Sequence, residues 1–181
     1  MISVTRATEE DYQPIVSIGK IAVEEAHRDS TTAENLDAYL QKNYNADAIQ
    51  KELRDPDNIY HLVNYNGKPV GFSKIVLNAV DPAIPIEHVT KLDRIYLLKE
   101  YYGLKLGLEL LNFNTRFSRD NNQSGMWLYT WTGNTRAIDF YLKTGFRIVG
   151  SHKFYVTETY YNLNHIMFLD YLGNESITAL P

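Results

Sequence analysis

Apolar and polar side chains alternate over residues 2–7, with Ile2 and Val4 set against Ser3 and Thr5, which predicts a first strand. Thr8-Glu9-Glu10-Asp11 predicts a helix start, because Thr8 can cap it and acids favour the positive end of the helix dipole. Tyr12, Ile15, Val16, Ile18 and Ala22 follow at helical spacing, and the stripe fades at His27-Arg28-Asp29. Leu36, Tyr39, Leu40, Tyr44, Ile49 and Leu53 predict a second helical region over residues 32–54, with a break near Asn43-Tyr44-Asn45. Two strand-like runs, 59–65 and 68–77, flank Asn66-Gly67, a dipeptide that accepts the positive φ angles of a tight hairpin turn. Asp81-Pro82-Ala83-Ile84-Pro85 reads as a surface loop, and residues 87–97 as a strand long enough to carry a bulge. Leu106, Leu110, Phe113 and Phe117 share one face of a helix over residues 106–119. A strand at 126–131, a helix at 135–144 ended by Gly145, and strands at 146–155 and 162–169 complete the pattern.

The resulting order, β-α-α-β-β-β-α-β-α-β-β, predicts an α/β (α+β) fold with a mixed central sheet of about seven strands and helices on both faces. At 181 residues and 44% hydrophobic content, the chain suits a single domain over residues 1–181. No linker-like stretch, repeat or low-complexity tract divides it.

Composition narrows the chemistry. The absence of cysteine excludes disulfides, thiolate metal sites and a cysteine nucleophile. His61, His152 and His165 sit on different strands without helical ligand spacing, so no metal site is expected. A net charge of −4, from 22 acidic and 18 basic residues, argues mildly against nucleic acid and suits a cationic substrate. Trp127, Trp131 and Tyr160-Tyr161 read as core and edge packing rather than a base-stacking surface. No apolar run approaches a membrane span, and no secretory signal is visible at residues 1–6, so the expected location is cytoplasmic. The acceptor patterns Asn122-Gln123-Ser124 and Asn174-Glu175-Ser176 are then read as chance.

Two segments carry candidate chemistry. Tyr101-Tyr102-Gly103-Leu104-Lys105-Leu106-Gly107 leads into the helix at 106, and its two glycines let a diphosphate approach main-chain amides at a helix N-terminus. Taken alone, the loop is more simply a turn. Further on, Asn134 can cap the next helix or bond a ligand beside it, and Tyr141 is either a core aromatic or a hydroxyl donor. Their occurrence in this order strengthens the functional reading.

The chain resembles the Gcn5-related N-acetyltransferases. The family's loop pattern, Gln/Arg-x-x-Gly-x-Gly/Ala, falls on residues 102–107, where Tyr102 replaces Gln/Arg, Lys105 replaces the first Gly, and Gly107 is kept. Lys105 must then adopt a main-chain angle available to non-glycine residues. The later pattern Asn-x-x-Ala-x-x-Phe-Tyr-x-x-x-Gly-Phe is intact as Asn134, Ala137, Phe140, Tyr141, Gly145 and Phe146. Ala38-Tyr39-Leu40, residues 92–97 and residues 150–155 are similar to the bacterial spermidine/spermine N-acetyltransferase subgroup.

The resemblance implies acetyl-CoA as donor and a small-molecule primary amine, a polyamine such as spermidine foremost, attacking the thioester directly in a ternary complex. It implies that Ile95, Tyr96 and Leu97 pair with pantetheine as an added strand. Gly103, Leu104, Lys105, Leu106, Gly107 and Leu108 would hold the pyrophosphate. Asn134 would contact pantetheine, and Tyr141 would protonate the departing thiolate. Lys143 reads either as a phosphate contact or as a solvated helix lysine. An alkyl amine titrates near ~10.4 and so needs a proton acceptor; Glu24, Glu25, His27, Glu87, His88, Asp93 and water are the candidates. Glu87 and Asp93 share a face in a regular strand, and a bulge between them would part their directions. The alternatives are an acetyltransferase for protein N-termini or another small amine, and a non-catalytic acyl-CoA binding or sensing module. Dimers are common in the family, and Phe154-Tyr155 with Tyr160-Tyr161 suit a homodimer interface.

Overall fold

A computed structural model describes residues 1–172; the Asn174-Glu175-Ser176 pattern lies outside them. Two compact units are formed by the described residues, Met1–Ile75 with Asp93–Asn114, and Val76–Leu92 with residues 115–172.

In the first unit, β1 (Ile2–Arg6) pairs antiparallel with β2 (Ile59–Tyr65), and β2 with β3 (Lys68–Val76). Asn66 and Gly67 close that hairpin with φ of 50° and 79°, the geometry their sequence predicts. β4 (Val89–Leu97) lies beside β3, with Leu98 N–H donating to Val70 O at 3.0 Å.

Three helices join β1 to β2: α1 (Tyr12–His27), α2 (Ala33–Asn43) and α3 (Ala46–Arg54). The predicted helix start at Thr8 is instead a 3-10 turn, Glu9–Asp11, in which the Asp11 carboxylate accepts from Thr8 N–H at 2.8 Å. The expected break in the second helical region is complete. Tyr44 is driven wholly into the core, and Asn45 caps α3 by accepting from Ala48 N–H at 2.9 Å.

Strand alternation sends Tyr60, Leu62 and Phe72 into the core with Ile15, Ile18 and Ile49. It sends Val63 and Val70 the other way, onto Leu106 and Leu110 of α4 (Leu106–Asp120). Helices therefore cover both sheet faces. Packing of α1 against Tyr44 depends on Gly19, where an added methyl would run into the ring. Gly19→Ala is expected to cost about 1–3 kcal/mol by overpacking, read as a lowered thermal midpoint.

In the second unit, β4 begins parallel to β5 (Gly125–Trp131) through Val89↔Gly125, Thr90↔Met126 and Lys91↔Trp127. β5 is antiparallel to β7 (Tyr161–Asp170), and β7 to β6 (Arg147–Tyr155). The sheet order is β1-β2-β3-β4-β5-β7-β6, mixed and seven-stranded as the sequence predicts.

Two expectations fail locally. The strand expected from residue 87 starts at Val89, because His88 takes a φ of 56° and leaves Glu87 in an exposed loop. On α4, Phe113 and Phe117 are only half-buried, while Asn114 and Ser118 are fully buried. Asn114 bonds His61 Nδ1 at 2.8 Å and donates to the Ser73 hydroxyl at 2.8 Å, so its amide is satisfied inside the core. Burial pushes His61 down to about 4, which keeps it neutral there.

Helix α5 (Thr135–Lys143) ends as expected at Gly145, φ 94°. Phe146 N–H donates to Tyr141 O at 3.0 Å and Gly145 N–H to Leu142 O at 3.2 Å, a Schellman closure. Among the described residues, no helix is long and apolar enough to cross a membrane.

Candidate active site

The chain leaving β4 makes one 3-10 turn, Lys99–Tyr101, and then a loop that enters α4. Gly103 has φ 83° and Lys105 φ 61°, two left-handed residues separated by one. Lys105 thus occupies the left-handed region, which favours glycine but is open to other residues at a cost of roughly 1–2 kcal/mol. This geometry turns successive N–H groups to one side as a nest. Among the described residues, the main-chain N–H groups of residues 103–108 have no protein acceptor; the first intrahelical bond is Glu109 N–H to Lys105 O, 3.0 Å. An α-helix leaves its first amides unpaired, and here two loop amides extend that run. Nothing lies within 4 Å of a Cβ built on Gly103 or Gly107, so the amides open onto free space. Six donors at the positive end of a 15-residue helix suit a diphosphate.

The strand before the loop also has unused main-chain groups. Because Leu98 bonds β3, alternation turns the N–H and C=O of Ile95 and Leu97 to the opposite edge of β4. Pairing with β5 covers only Val89, Thr90 and Lys91, so it does not use them. By the same alternation Tyr96 directs its main chain to β3, where its carbonyl lies close against Gly71. The Tyr96 side chain lies in the helical layer, its ring 5.8 Å from Phe72 and its hydroxyl 3.4 Å from His27 Nε2.

In the second unit, Asn134 caps α5 by accepting from Ala137 N–H at 3.1 Å, which leaves its NH2 group without a partner among the described residues. Tyr141 sits two turns on, 7% exposed, between Phe140 and Phe146. Among the described residues its hydroxyl has no hydrogen-bond partner. Burial raises the phenol well above its ordinary value, so it remains protonated and able to donate. Lys143 is exposed on the last turn of α5.

The candidate proton acceptors separate clearly. Glu24 is exposed and pairs with Arg28 at 3.7 Å, and Glu87 and His88 are exposed loop residues. Asp93 is held by Lys74 at 3.4 Å. Glu25 and His27, on the last turns of α1, stand nearest the end of β4: His27 against Tyr96, and Glu25 in a cleft with Leu98. Burial lowers His27, keeping its imidazole neutral near pH 7.

Sequence reasoning missed a buried ion cluster. Glu52 takes Lys74 at 2.6 Å, Arg94 at 2.9 Å and the Tyr60 hydroxyl at 2.7 Å. These residues are far apart in sequence, and no local spacing signals the pairing. Burial alone would raise the Glu52 carboxyl, but the Arg94 charge and the hydrogen bonds from Lys74 and Tyr60 hold it below its ordinary value. Its stabilisation is therefore present above pH 4.5 and lost on acidification through the depressed value. Glu52→Ala leaves Lys74 and Arg94 with their longer contacts to Asp93, 3.4 and 3.8 Å, and is expected to cost on the order of 1–3 kcal/mol, measured by urea unfolding at neutral pH.

A family model described as the acetyltransferase (GNAT) family matches residues 20–146, most of the chain. The chain belongs to that family. Like its relatives, this GNAT protein is an N-acetyltransferase. It is 22% identical over 153 residues to an uncharacterised N-acetyltransferase of Lactobacillus delbrueckii subsp. lactis, covering 84% of this chain and 88% of that one. Its fold is similar to that of the PaiA N-acetyltransferase of Thermoplasma acidophilum, solved in complex with coenzyme A: TM-score 0.77, 18% identity, 94% of this chain and 99% of that chain. It is also similar to the ribosomal-protein-S18-alanine N-acetyltransferase of Escherichia coli, TM-score 0.68, 18% identity, with 94% of each chain covered.

Proposed function

We propose that this GNAT protein transfers the acetyl group of acetyl-CoA to a primary amine, with a polyamine such as spermidine as the leading acceptor, within one catalytic domain. The observation that carries the reading is the run of unpartnered amides at residues 103–108 beside two left-handed loop residues. In the proposed complex these amides hold the diphosphate, with the Lys105 ammonium adding charge. Ile95 and Leu97 pair with the pantetheine arm as an added strand does, and the Asn134 NH2 group bonds it further along.

The amine attacks the thioester carbon directly. The Leu97 N–H faces the carbonyl oxygen as negative charge develops there. As the carbon–sulfur bond breaks, the Tyr141 hydroxyl gives its proton to the thiolate, and the proton of the attacking amine leaves through His27 and water. The proposed location is the cytoplasm, and Phe154, Tyr155, Tyr160 and Tyr161, all exposed, are the proposed homodimer contact.

The test is coenzyme A release with a panel of amines: spermidine, spermine, simple alkylamines and a peptide with a free N-terminal alanine. Spermidine is expected to give the highest kcat/KM. Spermidine no better than unrelated amines would remove the polyamine assignment, a preference for the peptide would favour an N-terminal acetyltransferase, and no release with any amine would favour an acyl-CoA sensor.

A further inference from the structure

We infer that Glu25 is an anchor for a second ammonium group of the acceptor, distinct from the amine that reacts; this deepens the acetyltransferase reading and rests on it. Glu25 lines a cleft of about 540 Å³ with Ile21, Lys68, Leu98, Lys99 and Glu100, entirely within the first unit. The Glu25 Oε2 is buried and receives no hydrogen bond from the described residues. The carboxylate is thus partly desolvated without a protein donor, which strengthens its attraction for a cation that enters the cleft.

The described residues supply no such cation. Lys68 and Lys99 line the same cleft, yet neither forms an ion pair with Glu25 among the described residues. Both are exposed, as is Glu100, so the rim is balanced in charge and screened by solvent, and the half-buried Glu25 carries the charge that matters inside. Ile21 and Leu98 give the cleft apolar sides that suit an alkyl chain. The chemistry that satisfies all of these features is an alkylammonium.

Such a group cannot be the nucleophile. A carboxylate stabilises the charged form of the ammonium it holds and raises its pKa, which removes the lone pair needed for attack. The acceptor therefore carries at least two amines, one held charged at Glu25 and one delivered neutral to the thioester.

The experiment compares 1,4-diaminobutane and spermidine with butylamine, on the wild type and on Glu25→Gln, with Asp37→Asn on the exposed face of α2 as control. The wild type is expected to favour the diamines over butylamine at least tenfold in kcat/KM. In Glu25→Gln that preference disappears through a KM for diamines raised at least tenfold, while the KM for acetyl-CoA changes less than twofold, and Asp37→Asn matches the wild type. Diamine preference surviving in Glu25→Gln, or butylamine matching the diamines in the wild type, overturns the anchor and leaves the acetyltransferase reading standing. Absence of coenzyme A release by the wild type with every amine overturns that reading itself.

Discussion

Gly107→Asp is expected to remove coenzyme A binding while leaving the protein as stable as before, or more so. Gly107 lies in the first turn of α4 without a positive φ, and nothing is within 4 Å of the position a Cβ would take. Replacing a helical glycine there removes a backbone-entropy penalty of roughly 0.5–1 kcal/mol. A carboxylate at the positive end of the helix adds about 0.3–1 kcal/mol of favourable dipole interaction. In the proposed complex the same carboxylate would stand beside the diphosphate held by the amides of residues 103–108. Like charges about 4 Å apart at an effective dielectric near 20 repel by about 4 kcal/mol, or on the order of a thousandfold in affinity. Calorimetric titration with coenzyme A, beside a thermal melt, reads both quantities. Affinity within twofold of wild type would mean that the loop is only a turn.

Tyr141→Phe is expected to lower kcat by on the order of a hundredfold or more, the usual worth of a positioned acid, with KM for acetyl-CoA nearly unchanged. The side chain is buried between Phe140 and Phe146, and its hydroxyl has no partner among the described residues. Removing that oxygen breaks no bond in the protein, so the melting temperature should hold or rise slightly. This separates an acid from a packing residue, because a residue serving only the core would change stability and spare the rate. A wild-type kcat in Tyr141→Phe would assign protonation of the thiolate to another group.

The parts of the fold legible in sequence were those set by local chemistry. Asn66-Gly67 specified its turn, Asn134 its helix cap, and Gly145 a C-terminal stop, because each acts on backbone groups a few residues away. Apolar periodicity placed the strands and helices for the same reason. What escaped depended on partners distant in the chain. Asn114 and Ser118 look like surface positions on α4, yet they are buried because His61 and Ser73 satisfy one and Thr90 and Tyr171 the other. Glu52, Lys74 and Arg94 are each unremarkable alone, and only their meeting makes a core cluster. The left-handed turns at His88 and Lys105 had no glycine to announce them. At the site, the loop glycines and Tyr141 stood out by pattern, whereas the stranded oxygen of Glu25 is visible only once α1 and the end of β4 enclose it.

The central claim is best tested by amide proton–nitrogen correlation spectra recorded during titration with coenzyme A and, separately, with inorganic pyrophosphate. The main-chain signals of residues 103–108 should shift most with both ligands, and those of Ile95 and Leu97 with coenzyme A alone. Saturable shifts that cluster elsewhere while residues 103–108 stay in place would contradict the account.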